Sequence, residues 1–102
     1  MSKYGLHNKL DATPGNGKQL ADILLRAAAL VESAKGCQLY AVSLDEETPD
    51  AVWVTEIWDS EEDHDNSLQV PGVRERIGEA MPLLAGQPQK GQKLTILGGA
   101  GV

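Results

Sequence analysis

An α+β fold, with four antiparallel strands in one sheet and helices on one face of it, is predicted by three observations. Segments rich in β-branched and aromatic residues, or alternating apolar with polar, occur four times: residues 4–10, 37–44, 51–58 and 92–97. Between the first two lies a run whose apolar residues recur at helical spacing, and between the last two lie two shorter helical stretches. The order β-α-β-β-α-α-β is that of a split βαβ unit, the ferredoxin-like arrangement, in which the first and third strands are central neighbours.

Each element has its own justification. In the first strand Tyr4, Leu6, Asn8 and Leu10 share one face and His7 and Lys9 the other, so Asn8 is the polar member of an apolar face. Residues 11–17 carry turn chemistry around Pro14 and Gly15. Leu20, Ile23, Leu24, Ala27, Leu30 and Val31 then form a helical stripe that closes near Ser33 to Gly36. The second strand leads through the polar stretch 45–50 by a hairpin-type connection into the third.

In the third strand Val52, Val54, Glu56 and Trp58 share one face, and Ala51, Trp53, Thr55 and Ile57 the other. Ser60 is placed to cap the next helix, with Asp63 in the capping-box position and Glu61 and Glu62 in the positive first turn. His64, Ser67 and Leu68 fall on one face of that helix. Pro71 suits the first position of a further helix with Val73, Ile77, Met81 and Leu84 as its buried stripe, and Pro82 should kink or end it. Residues 86–91 read as loop and residues 98–102 as a loose tail.

Composition narrows the classes of function. A chain of 102 residues makes one domain. A net charge of −6, without a basic cluster, argues against nucleic acid and anionic membrane as partners. Cys37 is the only cysteine and cannot form an internal disulfide. The N-terminus lacks the apolar run of a secretory signal, so cytoplasmic localisation is the default expectation. The most apolar helical run, residues 23–31, is interrupted by Arg26 and is too short for a bilayer. His64 between Asp63 and Asp65 has no recognised metal-ligand spacing, Cys37 has no adjacent base, and no helix follows Gly98-Gly99-Ala100-Gly101 to make a phosphate loop. The second and third strands are apolar on both faces, so a twin subunit is expected to cover the face that the helices leave open.

The run from Glu56 to Leu68 carries a carboxylate, an indole, an imidazole and a hydroxyl past one corner of this fold, and Asn8 on the neighbouring strand can approach Glu56. For Asn8 two readings compete: a buried amide satisfied by its neighbours, or a hydrogen-bond donor to a substrate oxygen. For Glu56 they are a structural ion pair, with Arg74, Arg76 or Lys9 as partner, and a site carboxylate. Trp53 and Trp58 are core or interface residues on one reading, while on the other an indole walls a pocket for a flat ligand. His64 is either a solvated residue or a proton acceptor, imidazole being the side chain that ordinarily changes charge near neutral pH.

The first strand ending in Leu10, the turn Thr13-Pro14-Gly15, the run Gly36-Cys37-Gln38-Leu39-Tyr40 and above all Glu56-Ile57-Trp58-Asp59-Ser60-Glu61-Glu62 resemble the antibiotic biosynthesis monooxygenase family. Its members are small dimeric α+β barrels and include cofactor-free quinol oxygenases. The resemblance spans roughly the whole chain. It implies a homodimer that needs no cofactor or metal and oxidises a small electron-rich aromatic, a phenol or quinol, with O2. The site it implies has Asn8 as donor to the substrate oxygen, His64 as base, Trp58 as pocket wall, and Glu56 and Ser67 as orienting groups.

The pattern departs from the family in one place. The family histidine falls eleven residues after the strand glutamate, where this chain has Ser67, and His64 lies one helical turn earlier. Haem-degrading relatives share an asparagine matching Asn8 but also carry an axial histidine on the later helix, which is missing between Arg76 and Glu79, so haem is not expected. Two other functions are compatible with the fold. One is isomerisation of a small hydroxy-ketone, which would need a cationic anchor such as Arg74 or Arg76. The other is a dimeric small-molecule-binding or stress-response module without turnover.

Overall fold

Antiparallel pairing of β1 (Lys3–Asp11) with β3 (Ala51–Trp58), running from Tyr4↔Trp58 to Asp11↔Ala51, makes the centre of the sheet in a computed structural model that describes residues 2–86 and 90–102. β2 (Cys37–Leu44) takes the free side of β3 and β4 (Gln92–Ile96) the free side of β1, giving the strand order β2-β3-β1-β4. All pairs are antiparallel, as the ferredoxin-like arrangement requires.

Register sets which side chains meet. Leu6 and Tyr40 both lie opposite Glu56, and Asn8 and Val42 both lie opposite Val54, so the even-numbered residues of three strands share one face. At the start of β2 a bulge places Cys37 opposite Trp58 and Leu39 opposite Ile57. Gln38 is the extra residue, and it puts Cys37 on the same face as Tyr40.

The helices cover that even-numbered face. α1 (Gly17–Val31) buries Leu20, Ala21, Ile23, Ala27 and Val31, as its period predicts, whereas Leu30 stays exposed. Leu20, Ala21 and Ile23 pack with Val52, Ala12 and Ala80 in one half of the core, and Val31 joins Trp58 and Val73 in the other. The start of α1 is capped from a distance. Asn16 makes no side-chain cap, and the Asp50 carboxylate accepts from the Gly15 and Gly17 N–H groups at 3.0 and 2.9 Å. A Cβ on Gly17 would collide with the Pro49 carbonyl oxygen, so glycine is what lets the hairpin lie this close to the helix.

Ser60 caps α2 (Glu61–Ser67) as predicted, its hydroxyl accepting from the Asp63 N–H at 3.1 Å. The next helix departs from expectation. α3 (Val73–Ala80) begins after Gly72, which is left-handed at φ 95°, and this separates Pro71 from the helix and leaves it in the preceding turn. Val73 is buried, but Ile77 and Met81 are 43% and 48% exposed, so half of the predicted stripe is not core. Pro82 falls in a 3-10 turn, Met81–Leu83, directly after the helix, as its missing N–H demands. The Thr13 N–H bonds the Leu83 carbonyl and the Ala85 N–H that of Asp11, each at 2.8 Å, which ties this end of the chain to β1. Of the predicted loop 86–91, residues 87–89 lie outside the described residues.

On the odd-numbered face the His7 ring stacks on Trp53 at 4.9 Å, with His7 Nδ1 3.1 Å from Thr55 Oγ1. The Trp53 indole N–H donates to Asp45 at 3.3 Å. Leu39 and Leu94, on this face by register, are exposed. Among the described residues no helix is long and apolar enough to cross a membrane.

Candidate functional site

Between the even-numbered sheet face and the helices lies a cavity of about 250 Å³. β1 supplies Asn8 and Leu10, β2 Tyr40 and β3 Glu56; α1 supplies Ile23, Leu24, Ala27 and Val31. His64, Ser67 and Leu68 come from α2 and its end, and Arg76, Ile77, Ala80 and Met81 from α3 and the turn beyond it. The lining is mainly aliphatic, interrupted by Asn8, Tyr40, Glu56, His64, Ser67 and Arg76. An apolar cleft with a few convergent polar groups is the usual form of a small-molecule site.

Asn8, Glu56, His64 and Ser67, predicted from separate parts of the sequence, therefore line one cavity. Trp58 does not, which corrects its predicted place as a pocket wall. Its side chain is fully buried behind the lining, packed with Val31 and Val73, because its position at the end of β3 puts the ring under the start of α3. There its indole N–H donates to Glu56 Oε1 at 3.0 Å.

Glu56 is buried, 8% exposed, and the expected partners are elsewhere: Lys9 pairs with Asp11 and Arg76 with Glu79. Its neighbours are the Trp58 indole and His64, whose Nε2 lies 3.8 Å from Oε1. Burial pushes the carboxyl above the ordinary glutamate range, and the Trp58 hydrogen bond and the His64 charge offset this only in part.

His64 is held from three sides. Its Nδ1 is 3.0 Å from Asp65 Oδ1, and its ring meets the Trp58 edge at 6.0 Å and Tyr4 at 5.5 Å. An ionised carboxylate only accepts, so the Asp65 contact puts a proton on Nδ1 and turns Nε2 toward Glu56. Ser67 is buried, and its hydroxyl donates to the His64 carbonyl at 2.5 Å, locking the helical turn that carries the imidazole. The residue at the family's usual histidine position thus braces the histidine one turn earlier. Asn8 reaches the cavity beside Gly91, where an added Cβ would sit 3.1 Å from the Asn8 Cβ.

Two lining residues were not predicted as site residues. Tyr40 is brought opposite Glu56 by the β2 register; burial first, and then the Glu56 charge, push its phenol up, so it stays a neutral O–H donor. The alternation of β2 carries a signal for it, but the bulge at Gln38 interrupts the pattern at the strand's start. Arg76, considered from sequence only as a partner for Glu56 or an anchor for a different reaction, faces the cavity from α3. Cys37 lies on the inner face, where burial and the charges of Glu56 and Glu32 push its thiol up, against nucleophilic use. Among the described residues no three metal-ligating side chains converge.

Sheet order and cavity define a ferredoxin-like α+β protein with a ligand-sized, mainly apolar site. The sequence profile of the family described as antibiotic biosynthesis monooxygenase matches residues 3–77. The chain belongs to the antibiotic biosynthesis monooxygenase family. It is similar, at 41% identity over 96% of each chain and a TM-score of 0.86, to a structure described as a "putative Antibiotic biosynthesis monooxygenase" from Chloroflexus aurantiacus J-10-fl. A protein given the same description from Caulobacter crescentus CB15 shares the fold at 19% identity, with 91% of this chain and 88% of that one covered and a TM-score of 0.81. So does a Mycobacterium tuberculosis protein at 17% identity, covering 97% and 99%, with a TM-score of 0.82. Among proteins of curated function no match was found.

Proposed function

We propose that this protein is a cytoplasmic, homodimeric monooxygenase that needs no cofactor and oxidises a small electron-rich aromatic, a phenol or quinol, with O2. The observation that carries the reading is that Asn8, Glu56 and His64 line one mainly aliphatic cavity. Family membership supports the reaction class, and the open apolar face of the sheet supports the dimer.

In this reading the ring lies against the aliphatic walls from α1 and α3 and its hydroxyl points into the corner. His64 Nε2, on the opposite side of the ring from Asp65, takes the hydroxyl proton. Asn8 and the neutral Tyr40 phenol donate hydrogen bonds to the oxyanion that develops. Glu56, fixed by Trp58, and Ser67, through the His64 carbonyl, hold the base in place. The electron-rich anion then reduces O2. For a phenol with a free ring position, one oxygen atom enters the ring as the second carbonyl of a quinone and the other leaves as water, so the substrate supplies all the electrons.

The test is oxygen uptake by the purified protein with reduced naphthoquinones and naphthols, read on an electrode. Wild type should exceed the buffer blank with at least one of them. Loss of the base in His64→Ala should cost about 10²–10⁴ in kcat. Loss of a donor in Asn8→Ala should cost about 10²–10³. Uptake no faster than the blank across the series contradicts the reaction class; uptake that survives both substitutions contradicts the assigned roles.

A further inference from the structure

Arg76 projects from α3 into the cavity described above, and its environment is unusual for an arginine. The Nε is buried and has no hydrogen-bond acceptor among the described residues. Glu79 Oε1 is 3.0 Å away, within reach of an ion pair, but it lies off the direction of the N–H. Glu79 is 45% exposed and the Arg76 side chain 30%, so water screens the pair, and it is the Nε that is shut off from solvent. A guanidinium has five donors in a fixed fork and cannot lose its charge, and a buried donor without an acceptor is costly. Yet here it stands in a lining that is otherwise mostly aliphatic.

We infer that Arg76 is a specificity residue that binds a carboxylate on the aromatic guest, so that the preferred substrates are hydroxylated aromatic acids instead of neutral phenols. This rests on the proposed function for the nature of the ring. The carboxylate itself is argued from Arg76. A guest with hydroxyl and carboxylate on one ring system has two poles, and the cavity has two matching places for them. The Asn8, Glu56 and His64 corner on the sheet and α2 takes the hydroxyl, and α3 takes the acid.

Charge selects the acid further. One guanidinium balances one carboxylate, whereas a phosphate dianion would leave excess negative charge near Glu56 and Glu79 in a chain already at −6. The volume of about 250 Å³ lies just below the usual span of ligand sites, about 300–1,000 Å³, which limits the guest to one or two fused rings.

The test is calorimetric binding, without O2, of a matched pair of probes with the two groups at opposite ends of the ring system: 6-hydroxy-2-naphthoate and 2-naphthol. Wild type should bind the acid at least about tenfold more tightly, the size of one charge-assisted hydrogen bond. Arg76→Gln should abolish that preference by weakening binding of the acid far more than that of naphthol, and Arg76→Lys should restore part of it. Glu79→Gln, which frees Arg76 and leaves the cavity lining intact, should raise affinity for the acid a few-fold, and it serves if Arg76→Gln does not fold. Equal affinities in wild type, a preference that survives Arg76→Gln, no response to Glu79→Gln, or binding of neither probe overturns the inference. Arg76-dependent binding of the acid without oxygen uptake would leave the anchor standing and remove the oxygenase reading; uptake with no preference for acids would do the reverse.

Discussion

The indole N–H of Trp58 donates to Oε1 of Glu56 at 3.0 Å, two residues apart on one face of β3. A fully buried core residue therefore fixes the orientation of the carboxylate that borders the cavity. Core and site meet in this bond, because the hydrogen bond pulls down the pKa that burial pushes up.

The raised Glu56 carboxyl has a signed consequence for stability. Below the ordinary glutamate value, about 4.3, folded and unfolded chains both carry the proton, and the residue's contribution is fully present. As pH rises from there through the folded value, the unfolded chain releases its proton more readily, and that contribution is lost. Glu56→Gln, which has no charge to bury, should therefore melt close to wild type at pH 4 and gain on it steadily toward pH 8. A gap that is flat with pH, or that shrinks as pH rises, contradicts the assignment.

Trp58→Phe removes both packing and the donor. It should cost about 1–3 kcal/mol from lost buried surface and an unpaired acceptor, measured by denaturant unfolding. The Glu56 carboxyl should titrate higher still in this variant, as followed by carbon-detected NMR. An unchanged or lower titration midpoint would show that the indole does not govern the carboxylate.

Asp50 is the remote cap of α1, through the Gly15 and Gly17 N–H groups. Asp50→Ala should destabilise the protein by about 0.5–2 kcal/mol in urea unfolding, in the range of lost helix caps. A loss below a few tenths would mean that water replaces the carboxylate without cost.

The odd-numbered sheet face, with Trp53, Leu39 and Leu94, should pair with a second copy. Sedimentation is expected to give a dimer for wild type and a monomer for Leu94→Glu, since a buried unpaired charge at an interface is strongly unfavourable. A wild-type monomer at micromolar concentration contradicts the pairing.

The bounds of β2 and β3 were legible because alternation and β-branching end abruptly at polar turns, and the Ser60 cap because hydroxyl and N–H stand three residues apart. Central pairing of β1 with β3 followed from element order, and with it the placing of Asn8 on the same sheet face as Glu56. Pro71 misled because its ring suits a helix start as well as the turn it occupies, and only the left-handed Gly72 decides between them. Trp58 was misplaced because alternation gives the face of a strand residue but not whether a helix lies over it. Tyr40 and Arg76 were missed for a related reason: which residues share a cavity depends on a bulge and on helix rotation, and both are set by tertiary packing.

The central claim is that the polar corner takes a proton from a hydroxylated aromatic guest, and the ionisation of that guest when bound reports it directly. A naphthol whose free pKa lies above the working pH, bound anaerobically at pH 7, should show the absorption of its naphtholate in wild type. In His64→Ala the bound probe should show the neutral form. A neutral naphthol in the wild-type complex, or a naphtholate that persists without His64, contradicts the account.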